Sequence, residues 1–489
     1  MKAIIIGSGI AGIATAIRLS HQGFAVHVYE SANGPGGKIN EFVQDGFRFD
    51  AGPSLLTLPS LIDELFTLCG KRPEDYFRYV RLSKINKYFF EDGTTLEASA
   101  DVNAFAEEVN KVTGEPLVHV LNYLKKSESL YRLTAPVFLK QSLHLASSYL
   151  NWPAWKAFLQ LYKLDASTSL HTRNEHSFQS EKVVQLFDRY ATYNGSDPFL
   201  APATLKVIPH LEFNTGAYFP VGGMYQVIHS LCKLATEMGV TFHFNTPVEK
   251  ILIHNQSAAG VLVNKKEDPA DVVVSNADVK NTYKKLLPDE KQPGKILSQV
   301  PSTSALVFYW GINKTFPNLE LHNIFFSADY KREFDYLTNK RQVCNDPTIY
   351  VNISSKVQAA DAPAGCENWF TMINAPYDSG QDWKKIVSES RSAIIEKLSR
   401  MLNSTIRPHI VSESILTPQD IENRTASYLG ALYGSSSNNR FAAFLRHKNF
   451  SSGIRNLYFC GGSVHPGGGI PLCLLSASIV SDLVRKRKV

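Results

Sequence analysis

The sequence predicts an α/β protein with a Rossmann-like nucleotide-binding domain, a second domain built on a mixed sheet, and a helical cap. Three patterns support this prediction. A strand, a glycine-rich turn, a helix and a second strand follow one another within residues 1–30. Aliphatic and aromatic residues recur at three-and-four spacing through residues 101–212, and strand patterns return after residue 218. Because 489 residues exceed one ordinary core, we expect two or three domains that share interfaces.

The opening β-α-β unit is the clearest local signal. Residues 2–6 are a short, apolar, β-branched run, which is typical of a strand buried on both faces of a parallel sheet. Helical spacing then continues to Gly23, and residues 25–29 form a second strand that ends at Glu30. The turn between the first strand and the helix consists of Gly7, Ser8, Gly9, Ile10, Ala11 and Gly12.

This turn has the G-x-G-x-x-G spacing of a dinucleotide site. Gly7 permits the tight turn, Gly9 lets the backbone approach a pyrophosphate, and Gly12 lets the helix pack closely on the strand. The free amides at the helix start can hold phosphate charge. Glu30, with Ser31 beside it, can accept hydrogen bonds from a ribose diol and would repel a 2'-phosphate. The unit alone leaves FAD and NAD open.

A second glycine segment favours FAD. Residues 34–38 (GPGGK) resemble the G-G-[RK] stretch of the amine oxidase and carotenoid desaturase flavoprotein superfamily. The resemblance implies an FAD-binding domain of the amine oxidase (GR2) type, with ribose and pyrophosphate contacts from Gly36, Gly37 and Lys38. Residues 46–54 (GFRFDAGPS) resemble the G-F-x-F-D-x-G-P-[ST] signature of carotenoid desaturases. We expect a glycine-rich loop there that approaches the flat flavin ring through Gly52, Pro53 and Ser54.

A third glycine segment lies near the end of the chain, after a predicted strand at residues 457–460. Residues 461–471 (GGSVHPGGGIP) resemble the [AG]-G-x-x-H-P-G-x-G-I-P motif of bacterial-type carotenoid desaturases. In that family the motif lies beside the isoalloxazine ring and its ribityl chain, which implies contacts from Gly461, Gly462, Gly469, Ile470 and Pro471. A helix from residue 472 to about 486 would direct its positive end at the flavin. His465 is either an acid or base, or a residue that shapes the loop.

The cofactor is expected to be noncovalent FAD. His465 lies within the third glycine segment, and Cys460 and Cys473 lie close to it. The glycine segments nevertheless place no Cys or His in an established flavin-linking motif.

The middle of the chain returns to the nucleotide-binding domain before it enters the second domain. Residues 219–224 open a predicted helix to about residue 238, and residues 240–244 form a strand. The resemblance implies backbone contacts from Val248 to the adenine, and residues 271–278 match the family's [AD]-D-x-V-V-[SA]-N-A-D strand, which contains Asn276. Strand patterns at 305–310 and 350–353 and a helix at 383–402 suit the mixed-sheet domain. The predicted boundaries are 1–75, 218–278 and 421–489 for FAD binding, 76–100 and 279–420 for the substrate domain, and 101–217 for the cap.

The resemblance covers nearly the whole chain and implies a carotenoid desaturase, which removes a hydride to flavin N5 and a proton. Residues 187–198 (FDRYATYNGSDP) resemble the R-Y-A-T-Y-x-G-S-[DN]-P segment of hydroxycarotenoid 3,4-desaturases. A tertiary hydroxyl needs a buried hydrogen-bond partner, and the candidates are Arg189, Tyr190, Tyr193 and Asn194. A structural polar cluster at a helix end is the alternative. No Arg-Asp pair occurs near residues 138–145, where phytoene desaturases tend to carry one, so no catalytic acid or base is assigned.

Other functions remain open at this point. Within the family the alternative is a phytoene or neurosporene desaturase that introduces a different double bond. Outside it we retain an FAD-dependent amine oxidase, which would need an aromatic cage at the flavin, and a carotenoid isomerase or carrier that uses FAD without net oxidation. Oxygen and quinone are both possible electron acceptors.

Composition excludes several classes of protein. The six cysteines show no paired or zinc-like spacing, so we expect reduced thiols and no metal site. The formal charge of +6 is dispersed apart from residues 485–488, which argues against nucleic-acid binding and fits the solvated end of a helix. The glycines near the N-terminus do not fit a cleaved signal peptide, so we expect a cytoplasmic protein.

Contact with a membrane surface is a further expectation, because the implied substrate is insoluble in water. No apolar run of 18 residues could span a bilayer. Residues 130–164 nevertheless mix apolar side chains with lysines, as in helices that lie at an interface. Packing within the cap is the alternative explanation. The residues concerned are Leu139, Leu143, Leu145, Tyr149, Leu150, Trp152 and Trp155, with Lys140, Lys156 and Lys163.

Overall fold

A parallel sheet forms the first half of the architecture. The computed structural model describes residues 1–145, 148, 165, 167–439 and 446–487. Lys2–Ile6 is the middle strand of a five-stranded sheet, and all pairings in this sheet are parallel. Such strands are buried on both faces, which explains their apolar, β-branched sequences. In spatial order the strands are Leu457–Phe459, Val272–Ser275, Lys2–Ile6, Ala25–Tyr29 and Thr241–His243.

Helices pack against this sheet and complete the predicted Rossmann-like arrangement. Ile10–His21 contacts both Ile470–Arg487 and Tyr225–Glu237, and Ser60–Leu68 lies beside them. Their apolar residues share one hydrophobic core with the strands. The last helix begins at Ile470, two residues before the predicted start, directly after the third glycine segment.

The second half is built on a large mixed sheet, as predicted. It has seven strands, which pair antiparallel except where His322–Phe325 runs parallel to Lys84–Phe89. The helix Trp383–Met401 covers one face, where Ile394 and Leu398 join the core formed with Trp310 and Trp369. In spatial order the strands are Ile410–Leu416, Ser304–Ile312, Glu367–Ala375, Ile349–Asn352, His322–Phe325, Lys84–Phe89 and Thr95–Ser99.

A small hairpin corrects the prediction for residues 46–54. Phe47–Asp50 is a strand that pairs antiparallel with Glu41–Gln44, so only the end of this segment is a loop. Phe49 packs edge-on against Tyr309 of the large sheet at 5.6 Å between ring centroids. Phe47 and Phe49 alternate as in a strand, and a strand buries both rings on one face. This burial decides the local structure, although the glycines of the segment favour a loop.

Further short elements surround the two sheets. Two more antiparallel groups are present. Tyr79–Arg81 pairs with Tyr218–Pro220, and Ser257–Val263 pairs with both Val248–His254 and Lys266–Pro269. The remaining short helices outside the cap are Val279–Asn281, Gly294–Leu297, Tyr330–Asp335 and Pro418–Thr425.

The cap is helical, as the spacing of residues 101–212 predicts. Its core includes a stack of Phe105 on Phe213 at 4.4 Å and a cluster of Tyr123, Phe178 and Phe187. The α-helices among its described residues are Val102–Thr113, Leu117–Thr134, Leu170–Glu175, Glu181–Asp188 and Ile208–Phe213.

The stretch expected to contact a membrane, residues 130–164, is described in the structure up to residue 145 and at residue 148. Among the described residues, none of the helices combines the length and hydropathy needed to cross a membrane. Leu143 is buried against Val137 within the cap, which fits packing rather than exposure. Several of the residues named for this stretch lie outside the described part of the chain, namely Tyr149, Leu150, Trp152, Trp155, Lys156 and Lys163.

Candidate functional site

The predicted nucleotide residues gather at one edge of the parallel sheet. The carboxyl ends of parallel strands share an edge, and ligands of such sheets bind in the crevice outside it. The turn of residues 7–12 leaves the Lys2–Ile6 strand there, Glu30 and Ser31 follow Ala25–Tyr29, Asn276 follows Val272–Ser275, and Gly461 and Gly462 follow Leu457–Phe459. Sequence segments that lie hundreds of residues apart thus meet at one crevice.

Asn276 is the point at which the first and third glycine segments converge. Its Nδ2 lies 3.4 Å from the carbonyl oxygen of Gly7. A Cβ added at Gly9 or at Gly461 would lie 2.8 Å from the Asn276 side chain. The second segment joins them, because Gly36 N donates to Ser8 O at 2.9 Å. The glycine backbones therefore pack directly against Asn276, and their amide groups are the ones expected to hold a pyrophosphate.

Glu30 organises the end of the crevice expected to hold the adenosine. Its Oε2 accepts hydrogen bonds from Ser8 N at 2.7 Å and Ser8 Oγ at 2.9 Å, and its Oε1 accepts from Ala32 N at 2.9 Å. Thr246 N donates to the main-chain carbonyl oxygen of Glu30 at 2.8 Å, which places the start of the Val248 strand beside the backbone of this residue. The predicted ribose and adenine residues are therefore neighbours.

We expect Glu30→Gln to weaken FAD binding by about 1–3 kcal/mol, because one charged hydrogen-bond partner is lost. FAD titration into deflavinated protein, followed by flavin fluorescence, measures the change. Glu389→Gln provides a control on an exposed helix position, where the carboxylate is 66% exposed, and it should bind FAD as the wild type does. Equal affinity in Glu30→Gln and wild type would remove Glu30 from the site.

The opposite end of the crevice contains Lys38 and the third glycine segment. Lys38 Nζ donates to Leu432 O at 2.6 Å and to Ala431 O at 3.1 Å, and burial lowers the pKa of this ammonium. Gly52 packs against the Lys38 carbonyl so closely that no Cβ could fit. The helix Ile470–Arg487 starts directly after Gly469, so its unpaired N-terminal amides face this end.

Arg446 lies under the third glycine segment and was missed by the sequence prediction. Its guanidinium is 3% exposed and donates to Tyr433 O and Ser435 O, both at 3.1 Å, and to Gly462 O at 3.4 Å. No carboxylate pairs with it among the described residues, and the undescribed ones include no Asp or Glu. Burial lowers the pKa of Arg446 to about 10, so the group remains a cation at neutral pH.

Comparison with known proteins identifies the family. The family model of flavin containing amine oxidoreductases matches residues 10–485. The chain belongs to this family. It is 49% identical over 483 residues, 99% of both chains, to a 1-hydroxycarotenoid 3,4-desaturase of Flavobacterium sp. (strain P99-3). It is 32% identical to a 4,4'-diapolycopene oxygenase of Methylomonas sp, over 99% of this chain and 98% of that one.

Solved structures agree on the fold. A triple mutant of putrescine oxidase aligns with a TM-score of 0.64 at 13% identity and covers 99% of each chain. An oxidoreductase from Methanosarcina mazei aligns with a TM-score of 0.63 at 17% identity, covering 99% of this chain and 100% of that one. The family and its carotenoid-desaturase branch show that this flavoprotein is an FAD-dependent oxidoreductase.

The residues predicted to bind a polar substrate end do not form one group in this flavoprotein. Tyr190 OH donates to Glu212 Oε2 at 2.7 Å, and Tyr193 OH donates to Glu212 Oε1. Arg189 reaches Tyr88 OH at 3.2 Å and Tyr193 OH at 3.3 Å. We call Arg189, Tyr190, Tyr193, Glu212 and Tyr88 the buried polar cluster. Glu212 was not predicted as part of it.

Asn194 lies outside the buried polar cluster, and its contact with a substrate hydroxyl stays a prediction. Its Oδ1 accepts a hydrogen bond from Arg446 Nη2 at 3.1 Å, and its Nδ2 donates to Ser437 Oγ at 2.6 Å. The chain turns at Gly195, which has a left-handed φ of 58°, and Asn194 is the last residue of the short helical turn before it. Its side chain therefore supports Arg446 rather than the buried polar cluster.

A row of aromatic rings that runs from the small hairpin onto the large sheet leads to another missed group. Phe42, Tyr309, Phe370 and Tyr350 contact one another edge-on in succession, with centroid distances of 5.0, 5.5 and 6.1 Å. Tyr350 then stacks on His322 at 6.0 Å. Tyr350 OH lies 2.6 Å from Ser54 Oγ, so this aromatic row adjoins the segment predicted to flank the flavin. No local motif marks His322 in the sequence.

Proposed function

We propose that this protein introduces the 3,4 double bond into an acyclic or monocyclic 1-hydroxycarotenoid, with noncovalently bound FAD as oxidant. The observation that carries the proposal is a buried polar cluster near the aromatic row. An apolar polyene needs only apolar and aromatic surroundings, whereas a hydroxylated end group needs polar groups nearby. The relative that is 49% identical over the whole chain has this activity in its name, which supports the same reading.

The chain contributes binding, orientation and exclusion of water. FAD, when bound, accepts the electron pair and one hydrogen that leave the substrate, while the neighbouring carbon loses a proton. The conjugated chain delocalises the positive charge that develops, so a strong protein base is not required. The ring faces of the aromatic row favour a nearby cation. The burial of Tyr309 and Phe370 keeps water away from the reacting carbons.

Glu212 has an electrostatic function in this scheme. Arg189 carries a fixed positive charge near the reaction region, which by itself would oppose a cation on the polyene. Glu212 Oε2 lies 3.9 Å from Arg189 Nη2, and Glu212 is fully buried. The pair therefore presents no net charge to the substrate while its hydrogen bonds to Tyr190 and Tyr193 fix the polar end of the site.

Substrate preference tests the proposal. We expect wild-type protein in liposomes to convert a 1-hydroxycarotenoid faster than its non-hydroxylated counterpart and phytoene by several orders of magnitude, because unpaired buried groups reject the apolar end. Tyr193→Phe should reduce this preference, since it disturbs Glu212. Asn194→Leu is a matched comparison one residue away, and it should keep the preference because Asn194 faces Arg446.

Other outcomes would identify the alternatives. Equal or faster conversion of phytoene or neurosporene would favour a desaturase of those compounds. Anaerobic mixing with the 1-hydroxycarotenoid should bleach the flavin, whereas an isomerase or carrier would leave it oxidised. Bleaching by a primary amine instead would favour amine oxidation. Reoxidation of the bleached protein by oxygen or by a quinone identifies the electron acceptor.

We also propose that the protein is cytoplasmic and binds a membrane surface peripherally, where its substrate dissolves. Exposed apolar side chains on the cap support this, including Val118 and Leu200, which are 55% and 50% exposed. We expect flotation with liposomes, and stronger flotation with anionic lipid because of the formal charge of +6. Protein that remains at the bottom of the gradient with both lipid mixtures would contradict the proposal.

A further inference from the structure

His322 lies where the aromatic row ends, and its hydrogen bonds define which ring nitrogen carries the proton. Asn352 Nδ2 lies 3.1 Å from His322 Nδ1 and also donates to Leu321 O at 3.1 Å. An amide nitrogen can only donate, so His322 Nδ1 is an acceptor. Burial and the Arg189 guanidinium lower the pKa of His322 to about 3, so the ring is neutral. The single ring proton is therefore on Nε2.

The Nε2–H group is a buried donor that has no hydrogen-bond partner among the described residues. His322 is 2% exposed, so solvent does not satisfy this donor. The parallel register of Asn323 with Lys87 places Asn86 next to His322, and Asn86 Nδ2 and Arg189 Nε are also buried without a described partner. By contrast, Tyr190 and Tyr193 already donate to Glu212. Unsatisfied buried donors are costly, so this place is suited to an oxygen acceptor that arrives with a ligand.

The position of this donor matches the chemistry of the proposed substrate. In a 1-hydroxycarotenoid the oxygen is on C1, and the hydrogens leave from C3 and C4, so the oxygen must lie within a few bonds of the flavin. His322 is connected to the flavin-flanking segment through Tyr350, whose OH lies 2.7 Å from His322 Nδ1 and 2.6 Å from Ser54 Oγ.

We propose that His322 Nε2–H binds the tertiary hydroxyl oxygen of the substrate and is the specificity-determining donor of the site. This inference rests on the proposed function. It assigns the tyrosines of the buried polar cluster to holding Glu212 and Arg189 in place, rather than to direct contact with the hydroxyl. Non-hydroxylated carotenoids leave Nε2–H unpaired and are discriminated against for that reason.

The test compares kcat/KM for a 1-hydroxycarotenoid with that for its non-hydroxylated counterpart, both in liposomes. We expect His322→Leu to lower the ratio about 10- to 100-fold, the loss of one buried hydrogen bond, while conversion of the non-hydroxylated compound stays constant or rises. His322→Gln keeps a donor and should retain part of the ratio. His254→Leu, an exposed position on the three-stranded sheet, should keep all of it.

FAD content and the melting temperature establish whether each variant is folded. If His322→Leu is not folded, His322→Gln is the variant that tests the inference. A wild-type ratio in His322→Leu would overturn the inference, and so would a wild-type ratio in His322→Gln if only that variant is folded. If wild type itself shows no preference for the hydroxylated compound, the proposed function fails, and this result is separate from any effect at His322.

Discussion

Gly12→Ala is expected to abolish FAD binding and to lower the free energy of unfolding by about 3 kcal/mol or more. A Cβ at this position would lie 2.2 Å from the carbonyl oxygen of Gly7 and 3.1 Å from Asn276 Nδ2. Gly7 O is a backbone atom and Asn276 follows directly after a strand, so neither can move away easily. The helix Ile10–His21 would therefore have to move away from the sheet. Its displacement would disturb the amides predicted to hold the pyrophosphate.

Flavin absorbance after purification and urea unfolding followed by circular dichroism measure the two effects. Gly294→Ala is the matched control, because no heavy atom lies within 4 Å of a Cβ placed there. Its stability should stay within about 0.5 kcal/mol of wild type. Gly12→Ala protein that purifies with full FAD content would contradict the close-packing role.

Arg446→Met is expected to lower both the midpoint potential of the bound FAD and the stability of the protein. The cation is held against Gly462 O, in the segment predicted to flank the flavin, and a nearby positive charge favours the more negative, reduced cofactor. A decrease of about 30 mV would correspond to 1.4 kcal/mol for a two-electron couple. The carbonyl oxygens of Tyr433, Ser435 and Gly462 would also lose a donor, at about 1–3 kcal/mol for each group left unsatisfied.

Charge and hydrogen bonding can be separated by a second substitution. Arg446→Lys keeps the cation with fewer donors, so its midpoint potential should remain close to wild type while its stability falls. Arg407→Met, at an exposed position, should change neither quantity. Spectroelectrochemical titration gives the potential, and thermal melting gives the stability. An unchanged potential in Arg446→Met would show that this charge does not act on the flavin.

The nucleotide crevice could be predicted from sequence because its constraints are local. Only glycine fits where Gly12 meets Gly7 O, and Glu30 is the acid that directly follows the second strand, so residue type and spacing identify both. The edge at which they meet follows from the parallel direction of the strands. The mixed sheet and the helical cap were predictable for a related reason. Apolar residues recur every two positions in a strand and every 3.6 positions in a helix when one face is buried.

The hairpin at residues 41–50 shows how one local signal can hide another. Glycines in residues 46–54 indicate a loop, whereas Phe47 and Phe49 alternate as in a strand. The alternation prevails because both rings are buried against Tyr309 and its neighbours in the large sheet. Which of two local patterns dominates is determined by the surface that they pack against, and that surface comes from elements more than two hundred residues away in the chain.

The sequence by itself therefore determined the Rossmann-like unit, the glycine-rich segments expected to hold FAD and the set of polar residues 189–194, because each is encoded by neighbouring residues. Only the tertiary structure decided how those residues are divided between Glu212 and Arg446. It also decided that His322 presents, beside the aromatic row, a donor with no partner among the described residues. Asn194 and Arg446 are separated by 252 positions, and His322 follows no motif. Such contacts depend on how the folded elements pack against one another. They cannot be predicted from the spacing of residues within one segment.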